Sequence, residues 1–260
     1  MNWLATTVIG LVIEVHPEAR TMVVSHQEIA GVMPAMTMPV RVSNARELRG
    51  IQPGAMIEFH LDNGVARRLR VRQAANEIEQ EGRRIALPRP REKVALGAGI
   101  PDFELTDQQG RTVKLSRLGS SVVAVQFLYT RCPMPEVCPR LAATFARLQQ
   151  RFATRHDLML LSITLDPVYD TPEILSRYAT TWRANYVSWR FLTGSEAQIR
   201  TAAGHFGVVY WPEEGVITHT STIGIVGRGG RLASVVEGLS FTARQLGDLI
   251  EHELERERKR

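Results

Sequence analysis

Two groups of side chains in this 260-residue chain have types and spacings that can do chemistry. The only cysteines, Cys132 and Cys138, share the run Thr130-Arg131-Cys132-Pro133-Met134-Pro135-Glu136-Val137-Cys138-Pro139. Two thiols this close are consistent with a disulfide, a redox pair or a metal site. As thiolates they are soft donors suited to Cu(I) or Zn(II). Two sulfurs leave a coordination sphere incomplete, so an imidazole is sought among the seven histidines. His219 is the best placed, because it enters a strand just after a loop. The second group is Met33-Pro34-Ala35-Met36-Thr37-Met38, which holds three of the eight methionines. Strand alternation puts Met36 and Met38 on one face. Thioethers favour Cu(I) and bind Zn(II) poorly. Taken alone, Met-x-Met in a small barrel is more often core than ligand. His26 lies ten residues before Met36.

The elements that position these residues follow from local patterning. Val8–Val15, Thr21–Ser25, Met36–Val42, Met56–Leu61 and Val65–Val71 read as five short strands, punctuated by Pro and Gly turns. Asp62-Asn63-Gly64 is a hairpin signal. Together they predict a small β-barrel over residues 1–75. Residues 76–95 are charged, carry Pro88 and Pro90, and read as a linker. From 96 to 253, strands alternate with helices. Val122–Tyr129 and Leu158–Leu165 are continuous apolar runs, typical of central strands buried on both faces. Thr171-Pro172 opens a helix, Ile217–Val226 reads as one strand, and Thr242-x-x-Gln245 is a capping box before a last helix. This predicts an α/β layer with a mixed sheet. Residues 254–260 form a charged tail. Pro139 suits the first helical position, which places Cys138 at or near the N-cap. The helix amides there favour a thiolate, so Cys138 is expected to be the more acidic thiol and Cys132 the slower to alkylate.

Composition narrows the function classes. Hydrophobic residues make up 44% and charged residues 23%, ordinary for globular domains. The net charge of +5 is spread in alternating sign, so no nucleic-acid face is expected. No apolar run reaches the roughly 18 residues of a membrane helix. Residues 1–15 show neither a signal peptide nor an anchor.

Residues about 97–250 resemble the Sco/SenC family of copper chaperones through the runs PDFELTDQQG, FLYTRCPMPEVCPRL, LSITLDPVYDTPEIL, WRFLTG, FGVVYW and ITHTSTIGIV. The resemblance implies a thioredoxin-like fold and a copper site of Cys132, Cys138 and His219, taking Cu(I) or Cu(II). The commoner family motif has three residues between the cysteines, and this chain has five. Asp166 matches an acidic position near the site and is expected to orient a ligand; a turn-capping role before Pro167 is the alternative. Residues about 8–72, with SHQEIAGVMPAMTMPV and IQPGAMIEFHL, resemble the CusF-like copper-binding domain, an OB-like barrel. Its Cu(I) ligands map onto His26, Met36 and Met38. Met33 stands where the best-known members have a tryptophan over the metal, and is either a third sulfur or an open lid.

The resemblances imply a copper-binding metallochaperone rather than an enzyme. It would work in the periplasm or cell envelope, with copper ions and a recipient such as a cytochrome c oxidase subunit as partners. The rival readings are a thiol–disulfide oxidoreductase using a redox-active disulfide, and a copper or redox sensor on the same fold. A structural Cys132–Cys138 disulfide is the bland alternative.

Overall fold

A computed structural model describes residues 6–72, 77–80, 83–86, 90–213 and 215–256. Residue contacts divide the chain into two units. One comprises residues up to Ala74 together with Ser240–His252; the other comprises Ala75–Leu239 and the residues from Glu253.

In the first unit, β1 (Thr6–His16), β2 (Thr21–His26), β3 (Met36–Val42), β4 (Met56–Asp62) and β5 (Val65–Val71) close a barrel in the order β1-β2-β3-β5-β4. The pairings are antiparallel except β3 with β5, which is parallel. This is the five-stranded Greek-key closure of an OB-like barrel. The hairpin expected at Asp62-Asn63-Gly64 joins β4 to β5, with φ of 49° at Asn63 and 76° at Gly64, the left-handed pair that a two-residue turn requires. Met22, Val24, Val40, Ile57 and Phe59 fill the core. The register sets His26 opposite Met36, Val24 opposite Met38, and Gly10 opposite His26.

The C-terminal residues of this unit include most of the last helix, α4 (Ala243–Arg256). Thr242 and Gln245 form the expected reciprocal cap. Within the unit, Gln245 Nε2 donates to the Ser25 carbonyl at 2.8 Å. The Asp248 carboxylate accepts Ser25 Oγ at 2.7 Å and Thr37 Oγ1 at 2.8 Å. These bonds hold β2 and β3 beside His26 and Met36. The expected grouping of this helix with the preceding α/β segment alone therefore needs amending.

The second unit is built on a seven-stranded sheet in the order β16-β15-β10-β11-β12-β8-β9. Its strands are β8 (Glu104–Asp107), β9 (Thr112–Lys114), β10 (Val122–Leu128), β11 (Leu158–Thr164), β12 (Trp189–Thr193), β15 (Thr222–Val226) and β16 (Leu232–Glu237). β10, β11 and β12 are parallel, and every residue of β10 and β11 is buried, as their unbroken apolar runs require. The helices α1 (Cys138–Arg151), α2 (Pro172–Thr181) and α3 (Glu196–His205) follow β10, β11 and β12 in turn.

Two expectations fail here. The span 76–95 carries a hairpin of β6 (Glu77–Gln80) and β7 (Arg83–Ala86) where a plain linker was read. The expected single strand Ile217–Val226 breaks at Thr220–Ser221. Its first part, β14 (Val216–His219), pairs instead with β13 (Tyr210–Glu213). The break has a hydrogen-bonded cause: Thr220 N–H donates to Val209 O at 3.0 Å, and Thr220 Oγ1 accepts the Val209 N–H at 3.0 Å. The junction at residues 73–76 and the last four residues of the charged tail lie outside the described residues.

Gly10 permits the close approach of β1 to β2. A Cβ there would stand 2.2 Å from Val24 Cγ1 and 3.2 Å from Ser25 O. Gly10→Ala is expected to destabilise the barrel by about 1–3 kcal/mol, read as a lower urea midpoint for the unfolding of the full chain.

Candidate metal centres

The C-terminal ends of β10 and β11 open onto the cysteine loop, where ligands gather in open α/β sheets. β10 runs through Tyr129 into Cys132. A buried carboxylate pins the start of this loop: Asp170 accepts the Thr130 N–H at 3.1 Å, the Thr130 hydroxyl, and Thr164 Oγ1 at 2.5 Å. Burial raises the Asp170 carboxyl, and these hydrogen bonds oppose the rise. Asp166 lies at the other side. It accepts Arg131 Nε at 2.6 Å, and the Arg131 guanidinium stacks 4.7 Å from the Tyr169 ring centre. Asp166 thus holds the residue next to Cys132, while the carbonyl partner of His219 is Thr220. Asp170, four residues beyond Asp166 in the same Leu-Asp-Pro run, went unnoticed in the sequence because only its complete burial reveals its role.

The antiparallel pairing of β15 with β10 sets Val125 beside Gly224 and Gln126 beside Ile223. The start of β15 therefore lies at the end of β10, and His219, three residues before β15, meets the cysteines. His219 Nε2 is 3.6 Å from Cys138 Sγ. His219 Nδ1 is 3.1 Å from Thr220 O. A carbonyl only accepts, so Nδ1 carries the proton and Nε2 presents a lone pair to the sulfur. Burial depresses the imidazole's basicity and keeps it neutral. Both cysteines are free thiols, Cys138 buried and Cys132 partly exposed. The structure thus brings Cys132, Cys138 and His219 together. Among the described residues no three His, Cys, Asp or Glu side chains converge on a common metal position.

The expected acidity order is reversed. Cys138 occupies the first turn of α1, with Val137 as N-cap and Pro139 next to it. It is 0% exposed, and its hydrogen bond to Cys132 together with burial pushes its pKa up. Cys132 is partly exposed; the hydrogen bond from Cys138, assisted by Met134 and Tyr129, lowers its thiol to about 5. Desolvation and a neighbouring thiolate outweigh the helix dipole at the buried position.

The barrel holds the second set. His26 is 0% exposed, and its Nδ1 lies 2.7 Å from Gln27 O. The same tautomer argument leaves Nε2 with the lone pair, and this atom is buried without a hydrogen-bond partner. Met36 directly opposes His26 and is 41% exposed; Met38 follows on the same face, half-buried against the core. Met33 and Met38 line one open pocket with Pro39, Val40, Leu61, Asn63 and Gly64. An imidazole lone pair and thioethers at one barrel end match soft-cation chemistry.

The acidity order gives two expected outcomes. Iodoacetamide should label Cys132 with a rate that rises through pH about 5, while Cys138 stays protected until the protein unfolds. In the metal-free protein, the unfolded chain keeps the Cys132 proton up to pH about 9.0 whereas the folded chain loses it at about 5. Stability should therefore rise between these values. Above 9.0 the raised Cys138 reverses the sign. Denaturant melts across this range check it, and Cys132→Ser should flatten the rise.

Two family models match this chain. The CusF family, described as copper binding periplasmic protein CusF, matches residues 5–74. A SCO1 homologue of Bacillus subtilis is 28% identical over 155 residues, covering 58% of this chain and 79% of the relative. A protein of Stutzerimonas stutzeri named as copper-binding is 30% identical over 164 residues, covering 60% of this chain and 74% of its own. Among solved structures, BsSco, titled a member of the Sco family of cytochrome c oxidase assembly proteins with a disulfide switch, is 26% identical. It superposes with a TM-score of 0.54 over 62% of this chain and 96% of its own. The SCO1/SenC family matches residues 93–255, more than half the chain and all of the dithiol–histidine centre, and the protein belongs to that family.

Proposed function

We propose that this protein is a copper metallochaperone with two soft-metal sites. Cys132, Cys138 and His219 hold copper as Cu(I) or Cu(II), and His26, Met36 and Met38 hold Cu(I). The observation that carries this reading is the neutral His219 Nε2, 3.6 Å from Cys138 Sγ and oriented by a backbone carbonyl, an arrangement that fixes an imidazole ligand. The Cys132 thiolate supplies a charged sulfur near neutral pH, and the Cys138 thiol loses its proton as the metal binds. The orphaned His26 Nε2 supports the second site. Met33, beside Met38, is a reserve thioether at that site. Asp166 steadies the loop through Arg131.

Membership of the family supports delivery of copper to cytochrome c oxidase as the physiological task, and the CusF match supports a periplasmic setting. No described helix is long and apolar enough to cross a membrane. The lowered thiol of Cys132 against the protonated Cys138 also favours thiol–disulfide exchange with a target as a second activity of the same pair.

Titration of the reduced chain with Cu(I) against bicinchoninate should saturate at about two ions per chain. Met36→Leu with Met38→Leu should remove one, and Cys132→Ser the other. Saturation at one ion, unchanged by the methionine substitutions, overturns the two-site reading. A recipient test adds the copper-loaded chain to the soluble copper domain of an oxidase subunit. Retention of all copper by this chain overturns the delivery role.

A further inference from the structure

Tyr129 is absent from the ligand set, yet it touches both halves of the dithiol–histidine centre. Its ring stands edge-on to the His219 imidazole, with centroids 6.2 Å apart and planes at 78°. Its hydroxyl accepts the Ile217 N–H at 3.2 Å, on β14 two residues before His219. Its own carbonyl receives the Cys132 N–H at 3.4 Å. At 1% exposure the side chain has no bulk water to compete for the bond from Ile217. Phenylalanine would fill the same volume and keep the edge contact, so the hydroxyl is what distinguishes a positioning role from packing.

We propose that Tyr129 is the positioning residue of this centre: its phenol ties the His219-bearing strand to the strand end that leads into the cysteine loop. The inference rests on the copper reading of Cys132, Cys138 and His219. The tie slows escape of the ion, because the donors stay gathered when one bond breaks. Outer partners of metal ligands contribute about 10–100-fold in affinity.

The test adds Cu(II) sulfate to the full reduced chain as wild type, Tyr129→Phe and Cys132→Ser. The thiolate-to-Cu(II) absorption band, defined as the band lost in Cys132→Ser, reports this centre alone. In Tyr129→Phe the band should remain, copper release to EDTA should quicken about tenfold, and the Ile217 amide should exchange faster. A wild-type release rate in Tyr129→Phe overturns the inference, even if its melting temperature falls, because packing alone would lower stability. If the wild type shows no band that Cys132→Ser removes, the copper reading itself fails and this inference falls with it.

Discussion

The pairing of β15 against β10 governs the dithiol centre. Four residues of β10, from Val123 to Gln126, pair antiparallel with Val226 to Ile223, and that register brings residues 81 positions apart into contact. Parallel pairing of β10 with β11 then adds the Asp166–Asp170 turn on the opposite side of the cysteine loop. A sheet register moves in whole-residue steps, and a single step would turn every side chain to the other face. The buried apolar faces of β10 and β15 make such a slip costly, so the donors inherit their placement from the core.

A common device serves both histidines. In each, Nδ1 meets the carbonyl of the next residue, Gln27 or Thr220, and leaves Nε2 free. The device is local in sequence and needs only a bend after the histidine. It converts an ambivalent imidazole into a directed lone-pair donor. Burial strengthens the arrangement at His219 by disfavouring the imidazolium. The two centres differ in their sulfurs. Thioethers need no proton removed, whereas the thiol pair divides one negative charge unequally between a partly exposed and a buried sulfur. A partly exposed thiolate beside a buried thiol leaves the pair open to attack by a soft cation or by a partner's disulfide from the Cys132 side.

Much of this was legible before any coordinates. The two unbroken apolar runs are the central strands, and the turn at Asp62-Asn63-Gly64 is a hairpin with both residues at positive φ. Cys132, Cys138 and His219 were readable as soft donors because few residue types bind soft metals and two of them crowd one loop. The break after His219 was not readable. Ile217 to Val226 is apolar and β-branched, so its pattern continues through Thr220, and only the hydrogen bonds of Thr220 to Val209 reveal the interruption. The hairpin at Glu77–Ala86 escaped for a similar reason: its charged residues resemble a solvated linker.

Sequence by itself determined the chemical vocabulary: two thiols, a methionine window, histidines near strand ends, and the alternation that builds a barrel before an α/β layer. These depend on residue type and short-range period, which the chain carries locally. Tertiary structure decided which thiol is the thiolate. A helix N-terminus argues for Cys138, and that argument is sound for an exposed position. The fold instead buries Cys138, where its interaction with Cys132 and desolvation together exceed what a helix dipole supplies. It likewise decided that Tyr129 spans the centre and that a C-terminal helix braces the methionine strands. Burial and long-range contact are properties of the assembled chain, and no local pattern encodes them.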